Sequence, residues 1–172
     1  MTKKALFIIP PDRFNEDELF QPKAALENAG VAVTIASTAV GEVTGDNNGK
    51  TNVETIFSTE SPDVYDVVGV IGGSGTIDHL WGNQELLDFL KQAHTQNVLV
   101  SGICAGSVVV AKTGLLSGRK ATCYPVDVMI NELKANDVEY VVENVVAHKD
   151  IITSNGPDGA KDFGESLVQA LR

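Results

Sequence analysis

The sequence predicts an α/β fold in which helices cover both faces of a doubly wound, mostly parallel sheet. Short segments that are almost entirely apolar alternate with segments of helical periodicity along the 172 residues. Strands that are apolar throughout are typical of parallel sheets buried on both sides, and right-handed crossovers between them produce double winding. The length and a composition of 43% hydrophobic residues predict one domain spanning residues 1–172.

The first predicted unit is a strand, a helix and a second strand. Residues 5–9 form a continuous apolar strand. Residues 15–29 form a helix that begins at the capping residue Asn15 and ends before Gly30. Residues 31–36 are apolar and β-branched, which predicts the second core strand.

The next part of the chain contains a polar hairpin segment, followed by a buried strand and an amphipathic helix. Residues 41–57 are polar, rich in glycine and β-branched, and Asn48-Gly49 indicates a hairpin turn. Residues 67–71 form a third buried strand, and residues 83–96 form an amphipathic helix.

The last part begins with a strand at residues 98–100, which runs into a turn of small residues and a helix at 107–112 that ends at Gly114. Shorter elements follow. They are a helix at 127–134, strands at 138–142, 145–147 and 151–153, and a closing helix at 157–171.

Composition excludes several classes of partner. The net charge of −10 is spread along the chain, so the protein repels nucleic acid and anionic membrane. No apolar stretch approaches the roughly 20 residues that span a bilayer, and the N-terminus does not have the pattern of a secretion signal. The two cysteines do not make a disulfide framework, so a reducing, cytoplasmic location is expected.

The sequence predicts neither a cofactor nor a metal. Gly72-Gly73-Ser74-Gly75 follows a strand, but its spacing is not that of a dinucleotide fingerprint, and no phosphate-loop lysine follows it. The three histidines do not share a metal-ligand spacing. His94 is expected to be solvated in the last turn of its helix, and His148 falls in a charged turn. His79 is the histidine nearest to the predicted strand ends.

Cys104 lies where an apolar strand turns into a helix, in a run that reads Ser101-Gly102-Ile103-Cys104-Ala105-Gly106-Ser107. This is the pattern of a nucleophile elbow, in which glycines allow a sharp turn. The positive end of the helix dipole and the free N–H groups at the helix start would favour the thiolate. The local sequence fits a small buried hydrophobic residue equally well.

Two further features accompany this turn. The N–H groups of Gly73 and Ala105 would converge at the strand ends and form an oxyanion hole. Glu18 has two interpretations. It completes a capping box with Asn15, or its carboxyl reaches the sulfur of Cys104.

Several segments together resemble the DJ-1/PfpI (ThiJ) superfamily over nearly the whole chain. The similar segments are Glu18-Leu19-Phe20-Gln21-Pro22, Ile71-Gly72-Gly73, Ile103-Cys104-Ala105-Gly106, Gly114-Leu115-Leu116-Ser117-Gly118-Arg119-Lys120-Ala121-Thr122 and Ile152-Thr153-Ser154-Asn155-Gly156-Pro157. The resemblance implies a flavodoxin-like, class I glutamine-amidotransferase-like sandwich, usually a homodimer. It also implies that Glu18 is protonated and hydrogen-bonded to the Cys104 thiolate.

The chain departs from the family pattern at two positions. Ala105 follows the cysteine where PfpI-type proteases have a histidine, so protease activity is not expected. The family's DJ-1-type Thr-His-Pro turn corresponds to Cys123-Tyr124-Pro125, which places Tyr124 at the histidine position. A phenol does not act as a general base near neutrality, and glyoxalase and deglycase chemistry in the family is described with that histidine.

Three functional hypotheses follow. In the first, Cys104 attacks the carbonyl of a small electrophile, such as an α-oxoaldehyde or a glycated adduct, while Glu18 moves the proton. In the second, the protein is an oxidative-stress sensor or protective protein whose thiol is oxidised without turnover. In the third, Asp17 or Glu18 activates water for isonitrile hydration, because Cys104-Ala105-Gly106-Ser107 resembles that branch as well.

Overall fold

The computed structural model describes residues 1–172 and has a seven-stranded sheet at its centre. Five of the six neighbouring pairs of strands are parallel, and only the pair at one edge is antiparallel. The strands, in their order across the sheet, are β10 (Val145–Ala147), β11 (Ile151–Ser154), β7 (Leu99–Ile103), β6 (Val67–Val70), β1 (Lys4–Ile8), β2 (Ala32–Ser37) and β5 (Thr55–Ile56).

Six helices cover both faces of the sheet. They are α1 (Glu16–Asn28), α2 (Ser74–His79), α3 (Gln84–Thr95), α4 (Ala105–Lys112), α5 (Asp127–Ala135) and α6 (Ala160–Ala170). On one face α1 packs against α6, and on the other α4 contacts α2, α3 and α5. The predicted α/β, doubly wound, flavodoxin-like fold is therefore confirmed. No helix has the length and apolar character needed to cross a membrane.

The central strands are buried because helices cover them on both sides. Every residue of β6 and β7 is buried, and the buried hydrophobic side chains form one continuous cluster. This burial explains why these strands do not alternate between apolar and polar residues. The buried hydroxyl of Ser101 in β7 donates to the carbonyl of Val68 at 3.0 Å.

Two small sheets lie outside the central one. β3 (Gly41–Thr44) and β4 (Lys50–Val53) form the predicted antiparallel hairpin, although its loop spans residues 45–49 rather than two residues. β8 (Lys120–Ala121) pairs in parallel with β9 (Glu139–Tyr140). The strand predicted at 138–142 is shorter than expected because it pairs only with this two-residue partner.

The observed start of a helix differs from the predicted start at two places. Helix α4 begins at Ala105, two residues before the predicted start, so Cys104 is its N-cap. A 3₁₀ turn, Pro157–Gly159, precedes the closing helix, because the fixed φ of proline suits the first position of a helical turn.

The direction of chain winding reverses between β1 and β6, since β2 lies on one side of β1 and β6 on the other. Ligands of open α/β sheets bind where such a reversal occurs, at the carboxyl ends of the strands. The segments that leave these ends contain Asn15, Gly72 and Cys104. The fold thus brings the start of α1, the Gly72-Gly73 turn and the cysteine turn to one place.

We predict that Gly106→Ala lowers the free energy of unfolding by about 3 kcal/mol, because the added methyl group would overlap the carbonyl of Val70. Urea unfolding followed by circular dichroism measures this change. Gly82→Ala is the matched control, since a methyl group at Gly82 meets nothing within 4 Å. Equal stability of the two variants would contradict the close approach of α4 to β6.

Candidate active site

Cys104 occupies a strained turn between β7 and α4. Its backbone lies at φ 60° and ψ −123°, a region that non-glycine residues rarely adopt and that requires support from the surrounding structure. Its N–H donates to the carbonyl of Ser154 at 3.0 Å, and its carbonyl accepts from Ser107 N–H at 3.1 Å. A Cβ on Gly102 would come within 2.6 Å of the Gly106 carbonyl, so the turn needs a small residue there.

The sulfur faces a cavity of about 260 Å³. Cys104 is 7% exposed, so it is neither sealed in the core nor open to bulk solvent. The cavity is lined by Asn15, Glu18, Asp46, Gly73, Ser74, Ile77, Cys104, Tyr124, Met129 and Pro157. Of the five predicted site residues, four line this cavity, and Ala105 adjoins it as the residue after the cysteine.

Glu18 is completely buried beside the cysteine. Its Oε1 accepts a hydrogen bond from Gly72 N–H at 2.9 Å, while Oε2 is buried without a partner of ordinary hydrogen-bond geometry. Burial raises the pKa of Glu18 to about 8, and the Cys104 thiol and the Gly72 N–H offset only part of this rise. The carboxyl therefore keeps its proton at neutral pH.

The capping box predicted for the start of α1 is only half present. Asn15 does cap the helix, accepting from Glu18 N–H at 3.0 Å. The side chain of Glu18 does not return to the cap, because its Oε1 binds Gly72 N–H. The N–H of Asn15 donates instead to the carbonyl of Gly72 at 2.9 Å.

The surroundings of Cys104 disfavour the thiolate that the sequence led us to expect. Burial and the adjacent Glu18 carboxyl raise the pKa of the thiol above its ordinary value, and the N–H of Ala105 lowers it by a smaller amount. Removing the sulfur from water outweighs the attraction of the helix start. Burial therefore opposes ionisation of both members of the pair.

Gly73 presents a free backbone donor at the cavity wall. Its φ of 122° lies in a region that favours glycine, and a side chain there would overlap the carbonyl of Arg13. Its N–H has no hydrogen-bond acceptor within the protein. The N–H of Ala105 is directed at the Cys104 sulfur, whose pKa it lowers.

Tyr124 lines the cavity where the family pattern has histidine, and it is 41% exposed. None of the three histidines replaces that group. His79 Nε2 lies 3.1 Å from Asp12, and His148 Nε2 lies 2.7 Å from the Lys120 carbonyl. His94 is not simply solvated, as the sequence suggested, because its Nε2 lies 2.7 Å from Asp150.

Cys123 is separate from this chemistry. Its side chain is completely buried, and its thiol donates to the carbonyl of Tyr124 at 3.4 Å. Burial raises the pKa of Cys123 to about 12, so this thiol is unreactive near neutrality.

Two polar residues of the cavity, Asp46 and Ser74, were not predicted from the sequence to be site residues. The carboxylate of Asp46 accepts from Ser74 N–H at 2.9 Å and also from the Ser74 hydroxyl. Asp46 belongs to the hairpin loop, which is distant in sequence from every other cavity residue. Asp17, named as an activator of water, is exposed and does not line the cavity. No group of three or more histidine, cysteine, aspartate or glutamate residues is arranged to hold a metal ion.

Comparison with known proteins identifies a family that the chain matches. Residues 3–170 match the DJ-1/PfpI family. An uncharacterized protein of Methanocaldococcus jannaschii is 38% identical over 168 residues, which cover 98% of this chain and 82% of that protein.

Two crystal structures show the same fold. A ThiJ/PfpI domain protein from Brachyspira murdochii has a TM-score of 0.94 and 30% identity, with 99% of this chain and 96% of that chain covered. Drosophila melanogaster DJ-1beta has a TM-score of 0.88 and 30% identity, with 99% and 91% covered.

The buried carboxyl predicts a specific dependence of stability on pH. Because the pKa of Glu18 is raised to about 8 in the folded protein from an ordinary value of 4.5, its contribution is full below about pH 4.5 and is lost as pH rises through about 8. The stability of the wild type relative to Glu18→Gln should therefore fall by a few kcal/mol between pH 5 and 8. Urea unfolding at a series of pH values measures this difference.

Glu143→Gln is the matched control, since it removes an exposed carboxyl that does not line the cavity. It should retain the pH dependence of the wild type. A wild type and a Glu18→Gln variant whose stabilities run parallel from pH 5 to 8 would show that Glu18 ionises normally.

Proposed function

Because the chain belongs to the DJ-1/PfpI family, we propose that it is a thiol enzyme that acts on small carbonyl electrophiles, with Cys104 as nucleophile. α-Oxoaldehydes and glycated adducts are the substrate types that we expect. One observation carries the proposal. A strained elbow cysteine and a buried, protonated carboxyl share a small cavity into which a backbone N–H is free to donate.

The size of the cavity favours a small substrate. A volume of about 260 Å³ is below the range of roughly 300–1,000 Å³ that is usual for drug-sized ligands. A compound of a few heavy atoms with an exposed carbonyl carbon would fit within it.

The first chemical step is addition of the thiol to the carbonyl. The sulfur of Cys104 forms a bond to the carbonyl carbon, and the π electrons of the carbonyl move to its oxygen. The thiol proton passes to one oxygen of Glu18, while the proton on the other carboxyl oxygen passes to the substrate. The product is a hemithioacetal, and Glu18 is again a neutral acid.

Proton exchange through Glu18 supports this step because no other acid or base of suitable strength lines the cavity. The raised pKa of Glu18, about 8, lies close to neutral pH, which is the condition for efficient general acid–base catalysis. The N–H groups of Gly73 and Ala105 are the donors that would stabilise the developing oxyanion. Conversion of an α-oxoaldehyde to a 2-hydroxy acid then consumes one water and requires no external oxidant.

Methylglyoxal is the substrate for the direct test. We expect the wild type to consume it and to release lactate, and Cys104→Ala to lose this activity. Glu18→Gln should lower the rate about 100-fold because it removes the proton relay. The assay follows methylglyoxal loss and lactate formation by nuclear magnetic resonance.

Cys123→Ala controls for the second thiol, and it should keep the wild-type rate because Cys123 does not line the cavity. Equal loss of methylglyoxal in the wild type and Cys104→Ala would contradict the proposal that Cys104 is the nucleophile of an enzyme.

A second candidate function is a thiol that is oxidised by peroxide without turnover. It is favoured by the unpartnered Oε2 of Glu18, which would donate a hydrogen bond to an oxygen on the oxidised sulfur. One peroxide converts the thiol to sulfenic acid and water, and a second peroxide gives sulfinic acid and water.

Mild hydrogen peroxide should then add two oxygen atoms at Cys104 and leave Cys123 reduced. Intact mass measurement and peptide mapping locate the added oxygens. The Glu18→Gln variant should pass beyond the sulfinate more readily, since the stabilising donor is replaced. Equal oxidation of both cysteines would rule out a sensor based on this pair.

A further inference from the structure

The wall of the cavity carries negative charge and has no basic side chain. Asp46 carries a carboxylate at the wall, and none of the ten lining residues is lysine, arginine or histidine. The backbone of Arg13 lies against Gly73, but its guanidinium is paired with Asp12 at 2.7 Å and with Asp78 at 2.8 Å. A negatively charged substrate would therefore meet a carboxylate without any opposing side chain.

The hairpin loop holds Asp46 in a fixed position. Glu16 accepts hydrogen bonds from the N–H groups of Asn47 and Gly49, each at 2.8 Å. The N–H of Asp46 donates to the carbonyl of Phe14 at 2.8 Å. These bonds tie the loop to the segment that leads into α1, so the carboxylate is part of the rigid wall.

Asp46 also occupies the donors that an anion would otherwise use. Its carboxylate accepts from the backbone N–H and the hydroxyl of Ser74, at the start of α2. The donor that remains free at the wall is the N–H of Gly73, since the N–H of Ala105 is directed at the Cys104 sulfur. The negative charge of Asp46 also acts on the pair formed by Glu18 and Cys104, since it contributes to the raised pKa of Glu18.

We infer that Asp46 determines charge specificity, so that the site accepts uncharged and cationic carbonyl compounds and rejects those that carry a carboxylate or phosphate. This inference rests on the proposed role of Cys104 as the reactive group. It narrows the substrate class to compounds such as neutral α-oxoaldehydes and aldehydes that bear an ammonium group.

Methanethiosulfonates that differ in charge provide a test that does not depend on turnover. The sulfur of Cys104 attacks the sulfenyl sulfur of the reagent, a disulfide forms, methanesulfinate leaves, and the thiol proton goes to the buffer. The three reagents are the neutral methyl, the cationic trimethylammonioethyl and the anionic sulfonatoethyl compounds. Mass spectrometry of the Cys104 peptide gives each rate constant.

At Cys104, the ratio of the rate constant of the cationic reagent to that of the anionic reagent should exceed the same ratio measured with N-acetylcysteine amide. Asp46→Asn should lower this ratio about fivefold at low salt, because a charge on the wall of the cavity interacts appreciably with a charged reagent inside it. The rate constant of the neutral reagent serves as the reference in each variant, so that a change in the reactivity of Cys104 itself is separated from a change in charge preference.

Asp63→Asn is the matched control. It removes one negative charge from an exposed turn, Pro62–Val64, that precedes β6 at the opposite end of the sheet from the cavity. Its charge ratio should stay within about twofold of the wild type. Equal ratios in the wild type and Asp46→Asn would overturn charge specificity while leaving Cys104 reactive. Failure of all three reagents to modify Cys104 would instead overturn the proposed function itself.

Discussion

The burial of the Glu18 carboxyl against the Cys104 thiol is the constraint on which the site depends. Gly72 holds this arrangement together with both of its backbone polar groups. Its N–H donates to Glu18 and its carbonyl accepts from Asn15, each at 2.9 Å. A side chain on Gly72 would overlap Glu18 Oε1 and approach the Cβ of Cys104 to 2.8 Å. The start of α1 is thus fixed on the end of β6, beside the cysteine turn.

The protonation of the pair follows from a competition between two physical effects. The start of a helix stabilises an anion by roughly 0.3–1 kcal/mol, and up to about 2 kcal/mol in buried geometries. Full burial of an ionisable group shifts its pKa by up to about 3–5 units, which corresponds to several kcal/mol. The second effect is the larger one here, because Glu18 is completely buried and Cys104 is 7% exposed. A cysteine at a helix start is therefore not ionised by that position alone.

Local patterns in the sequence were sufficient to predict the fold and part of the site. The apolar strands, the cap Asn15 and the cysteine elbow depend on neighbouring residues, and the structure has all of them. The partner of the Glu18 side chain depends on a glycine 54 positions away, and no local rule indicates it. Asp46 was missed for the same reason, since its loop reaches the cavity only through bonds to Phe14, Glu16 and Ser74.

The absence of a histidine from the cavity limits the chemistry that Cys104 can support under the proposed function. A proton that leaves the sulfur has Glu18 as its acceptor, and a neutral carboxyl returns an equivalent proton from its other oxygen. This exchange suits the addition of a thiol to a carbonyl, in which one proton leaves sulfur and one reaches oxygen. Peptide hydrolysis also requires protonation of a leaving amine and activation of water, for which proteases of the family use the histidine that Ala105 replaces. Under the proposed function, the pair that would support carbonyl addition is therefore poorly suited to proteolysis.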